Sequence, residues 1–148
     1  MLLEVRKTKK KQTIHTEEAA WERKFMKQAT RAGILSYHTT DSVKTGIPDR
    51  YVVGGRWIEF KIILFAGTRK LDPLVHFSPA QKNWMDNLVG AGDECWANIL
   101  FQKSDGEERF FMMPWEMLRD WGKMTPENIH QLTYDLSYID GVIEADLC

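Results

Sequence analysis

The run GIPDRYVVGGRWIEFK, residues 46–61, concentrates the side chains best suited to chemistry. Asp49 opens one extended stretch. Ten residues on, Glu59 and Lys61 stand two apart in the next. Side chains at i and i+2 of a strand point to one face, so Glu59 and Lys61 project together. Trp57, Ile58, Phe60 and Ile62 surround them, which argues against full exposure. A carboxylate and an amine on such a strand call for pairing or for a metal. Two carboxylates converging with a carbonyl oxygen make a hard oxygen site suited to magnesium or manganese. A nearby ammonium then steers a water or balances charge on a phosphate, and these are the parts of metal-assisted phosphodiester hydrolysis. The plainer alternatives are a Pro-Asp turn at Asp49 and an exposed strand pair at Glu59 and Lys61.

That chemistry dictates a register. Gly54–Gly55 signals a hairpin between the two strands. A two-residue loop would pair Val53 with Arg56 and leave Asp49 and Glu59 on opposite faces. A three-residue loop, Val53-Gly54-Gly55, pairs Val52 with Arg56 and sets Asp49 opposite Glu59 on one face. Such loops are usually a type I turn followed by a left-handed residue, a position that Gly55 suits.

The elements that must hold this hairpin are readable around it. Thr16 is placed to cap a helix over residues 17–32, with Trp21, Phe25, Ala29 and Ala32 at helical spacing and Gly33 as its stop. Residues 34–38 read as a short strand and 39–48 as a polar loop. Residues 49–53 and 56–63 are the hairpin strands, and 67–76 is a loop rich in turn residues. Ser78 followed by Pro79 is a cap and a favoured first-turn proline, opening a helix that runs to Val89 with Trp84, Met85 and Leu88 on its buried face. Residues 95–101 form a further strand, with 109–112 its hairpin partner across Asp105–Gly106. Residues 114–121 and 126–138 read as two terminal helices, the second capped by Thr125. The fold class is α/β: a small mixed sheet flanked by helices, an αβββαβ core, with a C-terminal helical appendage. The organisation is a basic arm (1–15), a core (16–101), and a hairpin with helical appendage (102–148) of the same domain.

The chain has 148 residues, 43% hydrophobic and 28% charged, enough apolar content for one cored domain and too much for a disordered chain. No run approaches the ~20 apolar residues of a membrane span. The basic residues at the start follow the apolar ones, the wrong order for a secretory signal. Two cysteines make neither a disulfide framework nor a cysteine zinc site, and the four histidines are scattered. A reduced, cytoplasmic setting is expected. Residues 1–100 carry 16 Lys and Arg against 11 Asp and Glu, and residues 101–148 carry 4 against 10. Lys9, Lys10 and Lys11 lie in the basic start, which is either a phosphate-neutralising arm or a solvated tail.

Taken together, Glu18 ahead of Gly33, YHTTDS at 37–42, Gly46-Ile-Pro-Asp49, Trp57-Ile-Glu59-Phe-Lys61, and Ser78-Pro-Ala-Gln81-Lys-Asn-Trp84 running to Ala91-Gly92 resemble the PD-(D/E)XK nuclease superfamily, and within it the VRR-NUC group. The resemblance covers residues 16–100. It implies Asp49 and Glu59 as metal ligands, with Phe60 lending its main-chain carbonyl. It implies Lys61 as the catalytic lysine, Glu18 as an outer helix acid binding metal through water, and Gln81 as a polar residue of the active site. Glu17 and Glu22 compete with Glu18 for the helix role. Glu18 also reads as a solvent-facing first-turn acid, Gln81 as a surface helix residue and His38 as a strand-end structural histidine. The segment between Lys61 and Gln81, with Arg69 and Lys70, is longer than the group's pattern, and residues 110–148 match nothing in it.

The resemblance therefore implies a magnesium-dependent DNA endonuclease, with manganese able to substitute. Small stand-alone members of the group suggest a phage origin, action in the host cytoplasm, branched, nicked or Holliday-junction-like DNA as substrate, and a homodimer giving two sites for two strands. Lys9, Lys10, Lys11, His38, Arg69 and Lys70 are the candidate DNA contacts. The alternatives are a non-catalytic nucleic-acid- or protein-binding member of the same fold, and an RNA-processing nuclease.

Overall fold

The structure, a computed structural model, describes residues 2–39, 46–66 and 69–148, with side chains from Glu17 onward. Most of the expected 39–48 loop and the side chains of Lys9, Lys10 and Lys11 thus lie outside the described residues.

Among the described residues, six strands form one mixed sheet in chain order: β1 (Ser36–His38), β2 (Arg50–Val52), β3 (Arg56–Phe65), β4 (Glu94–Lys103), β5 (Glu108–Pro114) and β6 (Tyr134–Asp135). Neighbours are antiparallel except β3 and β4, which run parallel over ten residues. A parallel pair needs a crossover, and α2 (Pro79–Gly90) supplies it. Strand β3 is sandwiched between two apolar layers, which explains its nearly continuous hydrophobic run. Ile58, Phe60 and Ile62 join Trp21, Phe25, Met26 and Ala29 of α1 (Leu2–Arg31), and Val142 and Ile143 of α5 (Ile139–Asp146). On the opposite face Ile63 joins Phe77, Met85 of α2, Trp115 and Leu118 of α3 (Trp115–Trp121), and Ile129 of α4 (Pro126–Leu132). The fold is the expected mixed sheet flanked by helices.

Helix α1 stops as its sequence demands. Gly33 takes φ 85°, and the Ile34 amide turns back to the Ala29 carbonyl. Its start differs from expectation, since the helical backbone begins at Leu2 rather than near residue 17. Lys, Arg, Glu and Gln are good helix formers that show no apolar stripe, so periodicity alone does not reveal them. Helix α2 begins where expected. The Ser78 hydroxyl accepts from the Gln81 amide and the Gln81 side chain accepts from the Ser78 amide, a complete capping box. Met85 is fully buried and Leu88 packs against the core, whereas Trp84 is only half-buried.

The expected helix over 126–138 breaks after Leu132. Arg109 of β5 donates from Nε to the Thr133 hydroxyl at 2.8 Å and from Nη2 to the Thr133 carbonyl at 2.6 Å, which draws Thr133 into an extended conformation. Asp135 then caps a short 3-10 turn, Leu136–Tyr138, that leads into the unanticipated α5. The C-terminal third supplies β5 and β6 to the sheet and helices to both of its layers.

Candidate active site

The site grows from the β2–β3 hairpin. Val52 pairs with Arg56, Tyr51 with Trp57 and Arg50 with Ile58, the register of the three-residue loop. Continued by one position beyond the end of the ladder, that register sets Asp49 opposite Glu59. The turn is not the type I form, because Gly54 (φ 111°) and Gly55 (φ 85°) both lie in the left-handed region. Type I geometry needs a negative φ at its second central residue, and the first glycine escapes that requirement.

At Asp49 the two strands part. The ladder bond that a backbone carbonyl would have provided comes from the Asp49 side chain, whose Oδ2 accepts from the Phe60 amide at 2.9 Å. The main chain of Asp49 is held by Thr39, whose amide donates to the Asp49 carbonyl at 3.0 Å and whose hydroxyl donates to the Pro48 carbonyl. The carboxylate is thereby fixed in the gap between strands, beside Glu59.

Glu59 is 3% exposed. Its Oε1 accepts from Gln81 Nε2 at 3.0 Å and lies 3.8 Å from Lys61 Nζ. Its Oε2 is buried without a hydrogen-bond partner. Lys61 Nζ sits 5.4 Å from the centre of the Phe77 ring, a seat that confines the ammonium to the Glu59 side of the sheet. Gln81 belongs to two systems at once. Its Oε1 takes the Ser78 amide in the capping box, which turns its amide nitrogen toward Glu59. The loop carrying Asp49 rests on the same turn of helix. A Cβ on Gly46 would lie 2.5 Å from the Ala80 carbonyl carbon and 2.8 Å from the Gln81 nitrogen, so only glycine fits there.

The electrostatics follow from this crowding. Burial pushes the Glu59 carboxyl well above its ordinary range, the charge of Asp49 pushes it further, and Lys61 only partly opposes them. Asp49 is also raised, by burial first, against the lowering effect of the Phe60 amide and with a further push from the charge of Glu22. The side-chain hydrogen bond with Glu59 works the other way and lowers Asp49, so the pair favours one proton held on Glu59 beside an ionised Asp49. A buried carboxyl and a half-buried one placed this closely are a donor set that a hard divalent cation satisfies. Among the described residues no group of three or more His, Cys, Asp or Glu side chains gathers as a ligand cluster. The pair Asp49 and Glu59 is the acidic nucleus.

The other expected residues fall around this nucleus unevenly. Glu18 is half-buried, and its charge contributes to the upward push on Glu59. Glu17 is exposed. Glu22, one turn beyond Glu18, is 6% exposed and is taken up by Arg50 and His38. Phe60 buries its ring in the α1-side core. Arg69 and Lys70 are exposed, and no described residue holds either in an ion pair. They precede Leu71, whose backbone pairs with Met124 by two hydrogen bonds and so ties the 62–77 segment to the C-terminal part. His76, which the sequence did not single out, ends the 3-10 turn Pro73–His76. Its imidazole is held below its ordinary pKa by burial and by the charge of Lys61. The repeat of Glu18 and Glu22 at i and i+4 was the one signal in the sequence for the acidic flank on α1.

No family model matches the chain, and no curated protein matches it. Among solved structures it is similar to Hjc, a Holliday junction resolvase from the archaeal hyperthermophile Archaeoglobus fulgidus, with 18% identity and a TM-score of 0.45, covering 82% of this chain and 97% of that one. Among the described residues, no helix is long and apolar enough to cross a membrane.

Proposed function

We propose that this chain is a divalent-metal-dependent endonuclease that hydrolyses phosphodiester bonds in branched DNA of the Holliday-junction type. The observation that carries the reading is the Asp49–Glu59 pair, in which Lys61 stands beside Oε1 of Glu59 and no N–H donor reaches the buried Oε2. Asp49, Glu59 and the main-chain carbonyl of Phe60 would hold a magnesium or manganese ion, with Glu18 reaching it through water. Such an ion supplies charge neutralisation and an activated water at neutral pH.

The protein's own contribution is placement. Gln81 and Lys61 occupy Oε1 of Glu59 and leave Oε2 on the Asp49 side. Phe77 keeps the Lys61 ammonium from swinging into solvent, so it faces the charge that builds on the phosphate in the transition state. The Phe60 amide keeps Asp49 directed into the gap between strands. Lys9, Lys10, Lys11, Arg69 and Lys70 add affinity for the phosphate backbone without reading sequence. A homodimer would present two such sites to the two strands of a junction.

The test is cleavage of labelled linear, nicked and four-way-branched DNA, with magnesium and with chelator, beside the same forms as RNA. Cutting of the branched DNA that requires the ion is the expected result. Cutting that persists in chelator, or no cutting of any DNA form, overturns the reading, and cutting of RNA alone replaces it with RNA processing.

A further inference from the structure

The second buried carboxylate of the molecule does something different from the first. Glu22 projects from α1 to the edge strands, where its Oε1 accepts from Arg50 Nε at 2.8 Å and from His38 Nδ1 at 2.9 Å. His38 and Arg50 are cross-strand partners in β1 and β2. One carboxylate oxygen thus holds two donors from two strands. Because an ionised carboxylate only accepts, Nδ1 of His38 carries the proton of that contact, and Nε2 is a donor to a further anion only in the imidazolium form, where both ring nitrogens are protonated. Arg50 spends only Nε on Glu22, and among the described residues no acceptor meets its Nη1 or Nη2. The exposures run outward in order: the Glu22 side chain is 8% exposed, Arg50 20% and His38 49%.

The position is as informative as the bonding. Arg50 follows Asp49 directly, so alternation turns its side chain to the α1 side of the sheet while Asp49 faces Glu59. The cluster reaches the site through the edge of the sheet, where the charge of Glu22 acts on Asp49 and the amide of Thr39, next to His38, holds the Asp49 carbonyl. A guanidinium anchored through Nε, with no described acceptor on its Nη groups, keeps the pair of N–H donors that grips phosphate oxygens. A structural ion pair needs only Glu22 and Arg50, and the half-exposed His38 adds little to burying the carboxylate.

We propose that Glu22 is an orienting carboxylate, and that it presents Arg50 and His38 as a fork for one backbone phosphate of the nucleic acid, adjacent to the phosphate held at Asp49 and Glu59. The proposal rests on the nuclease reading above and assigns the edge of that site. Arg50 and His38 are substrate-contacting residues in this scheme, and Glu22 is a positioning residue that acts through them.

The experiment measures DNA binding by the full chain in chelator, by fluorescence anisotropy over a series of salt concentrations. Arg50→Ala is expected to weaken binding about tenfold and to reduce the log–log salt slope by about one, as loss of one phosphate contact does. Arg50→Lys keeps the charge without the fork and should fall between. His38→Ala is expected to weaken binding about threefold, in the range of a single hydrogen bond. Glu22→Gln, which keeps the shape and drops the charge, should weaken binding while Glu22→Gln/Arg50→Ala is no worse than Arg50→Ala alone. Manganese binding, followed by electron paramagnetic resonance, should survive Glu22→Gln and be lost in Asp49→Asn. Parent-like affinity and salt slope in folded Arg50→Lys and His38→Ala would show a merely structural clamp and overturn the proposal. Loss of manganese binding in Glu22→Gln would make Glu22 a ligand and overturn it differently. A parent chain that binds no DNA defeats the nuclease reading itself, a result distinct from either.

Discussion

Glu22 and Glu59 are both almost completely buried, at 6% and 3% exposure, and both lie within electrostatic reach of Asp49. Glu22 arrives with its compensation: a guanidinium and an imidazole on the same oxygen, both under 3 Å away. Glu59 arrives without it. Its nearest ammonium is 3.8 Å off, its N–H donor among the described residues is a neutral amide, and no N–H donor reaches its second oxygen, which has only the Asp49 carboxyl for company. Burying a charge is tolerated when it is paired and bonded, and is strongly unfavourable otherwise. The protein therefore treats one acid as finished structure and leaves the other under-compensated. Under-compensation of that kind is typical of a functional site, where a ligand completes what the fold withholds.

The contrast can be broken most directly at the unsatisfied acid. Asp49→Asn and Glu59→Gln are each expected to reduce cleavage by about three orders of magnitude or more, since charge stabilisation and the water are lost together, with DNA binding preserved. Near-normal turnover by either variant would place the chemistry elsewhere. Glu18→Ala should cost about 10–100-fold, the usual effect of an outer-shell partner. If the Glu22→Ala rate falls further than the Glu18→Ala rate while DNA affinity stays unchanged, the two helix acids have been assigned the wrong way round.

Stability sharpens the same comparison. A carboxyl whose pKa is raised by folding binds its proton more tightly in the folded state. Stability is therefore fully present below the unfolded value, near 4.5 for Glu59, and is lost as pH rises from there through the raised folded value. In chelator, Glu59→Gln should abolish most of that decline and be more stable than the parent at pH 7, by about 1–3 kcal/mol, the scale of an unsatisfied buried polar group. Divalent ion should raise the thermal midpoint of the parent and leave that of Glu59→Gln unchanged. A parent midpoint that climbs with pH over the same range would contradict the assignment. The smallest effect belongs to Gln81→Ala. Removing half of the capping box and one donor to Glu59 should lower stability by about 0.5–2 kcal/mol and slow cleavage several-fold, through kcat rather than KM.

How much of this the sequence disclosed depends on the range of the interaction. The Asp49–Glu59 register was legible because the two positions sit across a short loop, and side-chain parity leaves few alternatives. The start of α2 was legible because Ser78 and Pro79 act within one turn. Glu22 was legible only as a rival to Glu18 on the same side of α1, because the partners that set its role lie 16 and 28 positions away. The break at Thr133 was hidden for the same reason, being imposed by Arg109 from β5, 24 residues upstream. His76 escaped notice because its neighbour Lys61 is brought to it only when the 62–77 segment folds back over β3.

The contact of Gly46 with the first turn of α2 has a consequence in the time domain. Backbone meets backbone there, at a separation that leaves no room for a side chain to slide or repack. The loop that carries Asp49 and the turn that carries Gln81 can then part only as one cooperative event. The Phe60 amide, held by the Asp49 carboxylate, and the Gln81 amide, held by the Ser78 hydroxyl, lose their protectors in that same opening. In native-state hydrogen exchange these two amides, on different elements of the molecule, are expected to open with a common free energy and to be slowed together when a divalent ion is bound.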